Sequence, residues 1–214
     1  MSSKGFRFVD RDYYILREID RWRVITGRQL CRITGFSGQR ACDRRLKKLI
    51  EAEYIKRNKY LYGFPYIYSL TNTGKTLIQA PKATPHVRIE QIIHDSYVTD
   101  TAIFISEKHQ IPFKDITTEK QLHRIDGFSN RKHRPDFTFT QNEKITCVEI
   151  ELTMKAKARL EKNIKSNFEN YDSQIWVVPD LRGNIAKTLI ENQAVYPDIF
   201  ILSLSEVKAD GKSI

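Results

Sequence analysis

Cysteine is scarce: Cys31, Cys42 and Cys147 are the only three in 214 residues. None forms a CxxC pair or stands at zinc-ligand spacing from a histidine, which speaks against a disulfide framework or a zinc site. Long apolar runs are also missing. No stretch approaches the roughly 18 apolar residues of a membrane span. The opening MSSKGFRFVDRDYY lacks the apolar core of a signal peptide. The expectation is a cytoplasmic protein that meets no membrane.

Acidic residues are short in one region. Residues 1–80 carry 17 Lys and Arg against 7 Asp and Glu, while residues 81–214 carry 19 against 19, so the net charge of +10 belongs to the first segment. A one-sided basic excess is the footprint of a module that meets phosphate. The length accommodates two small domains. The proline-containing APKATPHV marks their boundary, giving domains over 1–80 and 88–214 with a linker at 81–87.

In the first segment, Asp10 reads as an N-cap for a helix over RDYYILREIDRW with Tyr13, Tyr14, Ile15, Ile19 and Trp22 near helical spacing. Thr26 caps a short helix, GRQLCRI, and Thr34, Gly35 and Phe36 form the turn of a helix-turn-helix. Ser37 opens a third helix. Ala41, Leu46, Leu49, Ile50 and Ile55 take its inner side. Arg40, Arg44, Arg45, Lys47 and Lys48 face outward, the pattern of a recognition helix. The β-rich runs around Gly63 and Pro65 then read as a hairpin, or wing, with Lys56, Arg57 and Lys59 toward the DNA backbone. Arg28 joins this DNA-binding set. The competing readings are a merely solvated basic face and a protein-binding winged helix.

The second segment opens on a helix carrying Ile89, Ile92, Ile93, Tyr97, Thr101 and Ile105, and Ile111 begins a strand-rich stretch. The strands DFTFT and ITCVEIELT follow, then a charged helix, the strand QIWVVP, another helix and a last strand DIFILSLS. The order predicts an α/β sandwich on a mixed sheet.

Its acids are oddly placed. Asp136 opens a strand after Pro135, and Glu149 and Glu151 sit two apart in an apolar strand, hence on one face. Burying like charges requires a raised pKa, a cationic neighbour or a metal. Three carboxylates at strand ends suit Mg2+ or Mn2+, which activates water and stabilises a phosphate transition state. Lys155 stands ready to neutralise developing charge. The alternative is that Glu149 and Glu151 face solvent, bonded to Lys155, Lys157 or Arg134. His94 and His133 read as satisfied polar groups.

The run TEKQLHR, then KHRPDFTF, then CVEIELTMKAKARLEKNI and the Trp-Val-Val-Pro strand resembles the replication-relaxation proteins and the related MobC class of plasmid mobilisation relaxases. The resemblance spans most of the chain. It implies a winged helix followed by a restriction-endonuclease-like, PD-(D/E)xK domain. It implies catalytic roles for Glu119, Asp136, Glu149, Glu151 and Lys155, with Asp136, Glu149 and Glu119 as metal ligands and no tyrosine nucleophile. One departure stands out: Glu151 occupies the place of the motif's usual lysine, so that lysine has to come from Lys155 or Lys157.

The function expected is metal-dependent nicking of duplex DNA at a plasmid or integrative-element origin, in mobilisation or replication initiation. Single-stranded DNA after nicking, relaxosome or coupling proteins and a second copy of the chain are further partners to test. The rivals are a non-catalytic origin-binding accessory or transcription regulator with a degenerate nuclease-like domain, and a stand-alone restriction or repair nuclease.

Overall fold

The computed structural model describes residues 6–81, 88–127, 132–154 and 156–209. Contacts divide the chain into two compact units, Met1–Thr99 and Asp100–Ile214. The division falls inside a long helix, whereas most of the proline-containing segment 81–87 lies outside the described residues.

The first unit begins with helix α1 (Asp10–Arg21). Its N-cap is Val9 rather than Asp10. The carboxylate that satisfies the cap comes from Asp12, whose Oδ2 accepts from the Val9 N–H at 2.9 Å. Ile15, Leu16 and Ile19 are buried while Tyr13 is exposed. Thr26 caps α2 (Gly27–Ile33) reciprocally with Gln29: Oγ1 accepts from Gln29 N, and Gln29 Oε1 accepts from Thr26 N at 2.8 Å. This is a capping box. Gly35 then takes φ +62°, a left-handed conformation that glycine adopts without strain.

Helix α3 (Gln39–Glu51) starts two residues after the expected Ser37, capped by Gly38. Cys42, Leu46 and Leu49 are buried, and Ala41 and Ile50 only half-buried. Strands β1 (Ile55–Asn58) and β2 (Ile67–Leu70) pair antiparallel, Ile55 opposite Leu70 and Asn58 opposite Ile67. Helix α4 (Asn72–Leu77) is capped by Thr71. The N-terminal turns of α5 (Ile92–His109) belong to this unit. Val24, Ile67 and Ile92 cluster there with Tyr60, Leu61 and Phe64, and Thr99 Oγ1 donates to the Val24 carbonyl at 2.9 Å. Ile92 is inward as expected, but Ile89 and Ile93 are about half exposed. The 3.6-residue period had grouped them only approximately.

In the second unit, β3 (Thr117–Thr118), β4 (Phe137–Gln141), β5 (Lys144–Ile150), β6 (Ser173–Val178) and β7 (Ile199–Ser203) form one mixed sheet in that spatial order. The β3–β4 and β4–β5 pairs are antiparallel, the β5–β6 and β6–β7 pairs parallel. Asn142 and Glu143 link β4 to β5, both at positive φ (51° and 64°), as a two-residue turn matching the sheet twist requires.

The parallel half is crossed by α7 (Lys157–Asn170) and α8 (Asn184–Gln193). Their inward Leu160, Ile164, Ile185, Ala186 and Leu189 pack on Trp176, Val178 and Ile199. The C-terminal turns of α5, a 3-10 turn over Phe113–Asp115 and two short helices also belong to the described part of this unit. Helix α6 (Glu119–Asp126) lies within the stretch expected to be strand-rich, and α9 (Leu204–Ala209) follows β7. Among the described residues no helix is long and apolar enough to cross a membrane.

Candidate functional site

The pairing of β3, β4 and β5 brings three acids to one end of the sheet. Phe137 pairs with Thr118 on one side and Val148 on the other. The next position therefore places Glu119, Asp136 and Glu149 side by side on adjoining strand ends. The Glu119 N–H donates to the Asp136 carbonyl at 2.9 Å. Asp136 Oδ2 accepts from the Ile150 N–H at 2.8 Å, so this side chain continues the ladder where the backbone of β4 has not yet begun.

Glu149 is in register with Trp176 and so lies on the face covered by α7. It is only 8% exposed, and Glu151 6%, so neither faces solvent. His133 Nε2 lies 2.6 Å from Glu149 Oε1. Asn167 Nδ2, from α7, donates to the same oxygen at 3.0 Å. Both hydrogen bonds reaching this carboxylate from described residues fall on Oε1. Asn167 is fully buried, and its Oδ1 has no hydrogen-bond partner among the described residues. Nearby, burial pushes the Tyr171 hydroxyl up to about 12, with Cys147, Asp126 and Glu149 adding to the shift. Burial likewise raises the Cys147 thiol.

The acids share a strand end, yet each is engaged by protein. Glu119 Oε1 lies 3.4 Å from His123 Nε2, Asp136 holds a backbone amide, and Glu149 is held by His133 and Asn167. Among the described residues no three His, Cys, Asp or Glu side chains are gathered closely enough to hold a metal ion. Lys155 lies outside the described residues. Lys157 is exposed, 2.9 Å from Glu191 on α8, and Arg134 Nε donates to Asp126 at 3.1 Å.

The basic residues of the first unit separate into two kinds. Arg40, Arg44, Lys47 and Lys48 are exposed on α3, with Lys47 3.8 Å from Glu51. Arg45 instead turns inward. Its Nε donates to Asp12 Oδ1 at 2.6 Å, its NH2 to Asp12 Oδ2 and to the Arg7 carbonyl, and its guanidinium lies over the Phe6 ring. Arg28 is half-buried. On the hairpin, Lys56, Arg57 and Lys59 are exposed. Arg57 and Lys59 stack on Tyr66 at 4.7 and 5.3 Å from its ring centre, and the fully exposed Tyr62 stands at the tip.

Sequence reasoning set His133 aside and did not single out Asn167. His133, three residues before Asp136 in KHRPD, was within reach of a motif reading. Asn167 was not, because its partner is 18 residues away on another element.

A family model described as replication-relaxation matches residues 16–166, from α1 into α7. No curated protein matches the chain.

Proposed function

Because this chain belongs to the replication-relaxation family, with a role in the replication or mobilisation of a plasmid or similar element, we propose that it nicks DNA at such an element's origin using a divalent cation. The observation that carries this reading is the alignment of Glu119, Asp136 and Glu149 on three adjoining strand ends of a mixed sheet. That placement is consistent with a PD-(D/E)xK-like domain.

The order of three helices and an antiparallel hairpin over Asp10–Leu70 supports a winged helix on duplex DNA. Arg40, Arg44, Lys47 and Lys48 would approach the groove, and Lys56, Arg57 and Lys59 the phosphates. Glu119, Asp136 and Glu149 would hold Mg2+ or Mn2+. When bound, the cation supplies a water of lowered pKa and charge stabilisation at the phosphate. The chain's own residues keep the three carboxylates at one strand end, bury Glu149 and Glu151 away from bulk water, and keep Glu149 hydrogen-bonded through Oε1.

One observation favours a second reading, an origin-binding accessory without catalysis: Glu151, buried, stands where such a site usually has a lysine. Incubating supercoiled plasmid carrying the element's own origin with the protein, with and without Mg2+ or Mn2+, separates the two. Open circles that need metal, origin and both Glu149 and Asp136 support the nicking enzyme. Cleavage that survives in Glu149→Ala and Asp136→Ala refutes the site. A gel shift without cleavage in either metal favours the accessory, and double-strand cuts that ignore the origin favour a stand-alone nuclease.

A further inference from the structure

We infer that the tip of the β1–β2 hairpin is a stacking platform for an unpaired base of single-stranded DNA, with Tyr62 as the residue that meets the base. The inference rests on the reading above in which this hairpin meets DNA, and it names the kind of strand the tip takes. It starts from how the tip is built. Three side chains of the loop between β1 and β2 turn inward: Tyr60, Leu61 and Phe64 pack on the cluster of Val24, Ile67 and Ile92. The Phe64 N–H donates to the Leu61 carbonyl at 3.4 Å, Gly63 takes φ +73°, and Lys59 Nζ donates to the Phe64 carbonyl. Tyr62 sits at the crown of that turn and is fully exposed. A tethered loop thus holds one ring out in water, although aromatic rings are among the side chains that gain most by burial.

The charge around the ring is one-sided. No Asp or Glu occurs from residue 54 to residue 89, while Lys56, Arg57 and Lys59 are exposed on or just after β1. Arg57 and Lys59 lie 4.7 and 5.3 Å from the centre of the partly exposed Tyr66 ring, which keeps their cationic heads at the hairpin. Rings interleaved with cations, without acids between them, suit a single strand: the cations follow its phosphates and the rings stack on its bases. An intact duplex offers Tyr62 no such face, because each base is covered by its neighbours and prising a step open costs free energy. An unpaired base offers its face at no such cost.

The test measures binding of the full chain to a fluorescently labelled oligothymidylate, and to a duplex of the same length, by anisotropy. Tyr62→Ala should weaken single-strand binding about 5–150-fold, the worth of one stacked base. Duplex affinity and melting temperature should keep their wild-type values, since the exposed ring buries nothing in the fold. Tyr62→Phe, which keeps the ring and loses only the hydroxyl, should bind like wild type. The slope of log affinity against log salt should be unchanged in Tyr62→Ala and shallower in Lys56→Ala, which separates stacking from phosphate contact. Wild-type single-strand affinity in Tyr62→Ala, an equal loss on the duplex, or a Tyr62→Phe no better than Tyr62→Ala would overturn the inference and leave the hairpin's phosphate contacts standing. A wild-type chain that binds neither that strand nor duplex DNA, the element's own origin included, would overturn both.

Discussion

Replacing Arg45 by alanine removes the guanidinium that neutralises Asp12, a carboxylate with no solvent exposure. Arg45 gives Asp12 a two-pronged contact, and the Val9 N–H adds a third hydrogen bond. Without Arg45, Asp12 stays in the α1–α3 interior holding only the helix N-terminus. Removing one partner of a buried pair costs about 3–5 kcal/mol, and the lost stacking on Phe6 adds about 0.5–1 kcal/mol. Against a total stability of about 5–15 kcal/mol, that is a large share. At about 4–8 °C per kcal/mol for a unit this size, the first unit's melting temperature should fall by at least about 12 °C, read by fluorescence of Trp22 on α1's border.

The double variant Asp12→Leu/Arg45→Met should recover most of that loss, since apolar replacement of a buried pair is often nearly neutral. Arg44→Ala should behave oppositely. Its melting temperature should stay at the wild-type value while the slope of log affinity for DNA against log salt becomes shallower by about 0.9. An Arg45→Ala protein that melts like wild type but loses the same salt slope would refute the reasoning and make Arg45 a phosphate contact.

Two further outcomes test the packing. Gly74→Ala should destabilise the first unit by about 1–3 kcal/mol, although glycine-to-alanine in a helix normally gains about 1 kcal/mol; a Cβ there would clash with the Tyr54 carbonyl oxygen, and a raised melting temperature would contradict this. Glu206, whose Oε2 accepts from the Ser203 N–H at 2.6 Å and from its hydroxyl, has its pKa held below the ordinary 4.5 by those bonds. A lowered pKa stabilises the fold fully above 4.5 and loses that contribution as pH falls through the lowered value, so the melting-temperature gap between wild type and Glu206→Gln should close in acid, and a constant gap would refute the assignment.

How much was legible depended on whether the determining contacts were local. The reciprocal cap of Thr26 and Gln29 could be read because its two residues lie three apart. The same signal, Thr118 followed by Gln121, went unread, and α6 was missed with it; Ser203 and Glu206 would likewise have marked α9. That Glu149 and Glu151 share a face followed from the two-residue period of a strand; that the face is buried rather than solvated did not, because it depends on what the crossover elements lay over it. What holds Glu149 did not, because Asn167 reaches it from the crossover helix. Arg45 shows the converse failure. By spacing it belongs with Arg44 and Lys48, and only the approach of α1, 33 residues earlier, turns it from a free surface charge into the half-buried partner of a buried carboxylate.

The mixed sheet also bears on the order of assembly. The β4–β5 hairpin closes over two residues and brings Asp136 beside Glu149 at little loop-closure cost, whereas α7 must cross over before β6 can pair with β5. On loop closure alone, Asp136 and Glu149 would become neighbours while Glu149 still lacked Asn167. A chain emerging from the ribosome would carry the charges of the site before it carried the means to hold them in place.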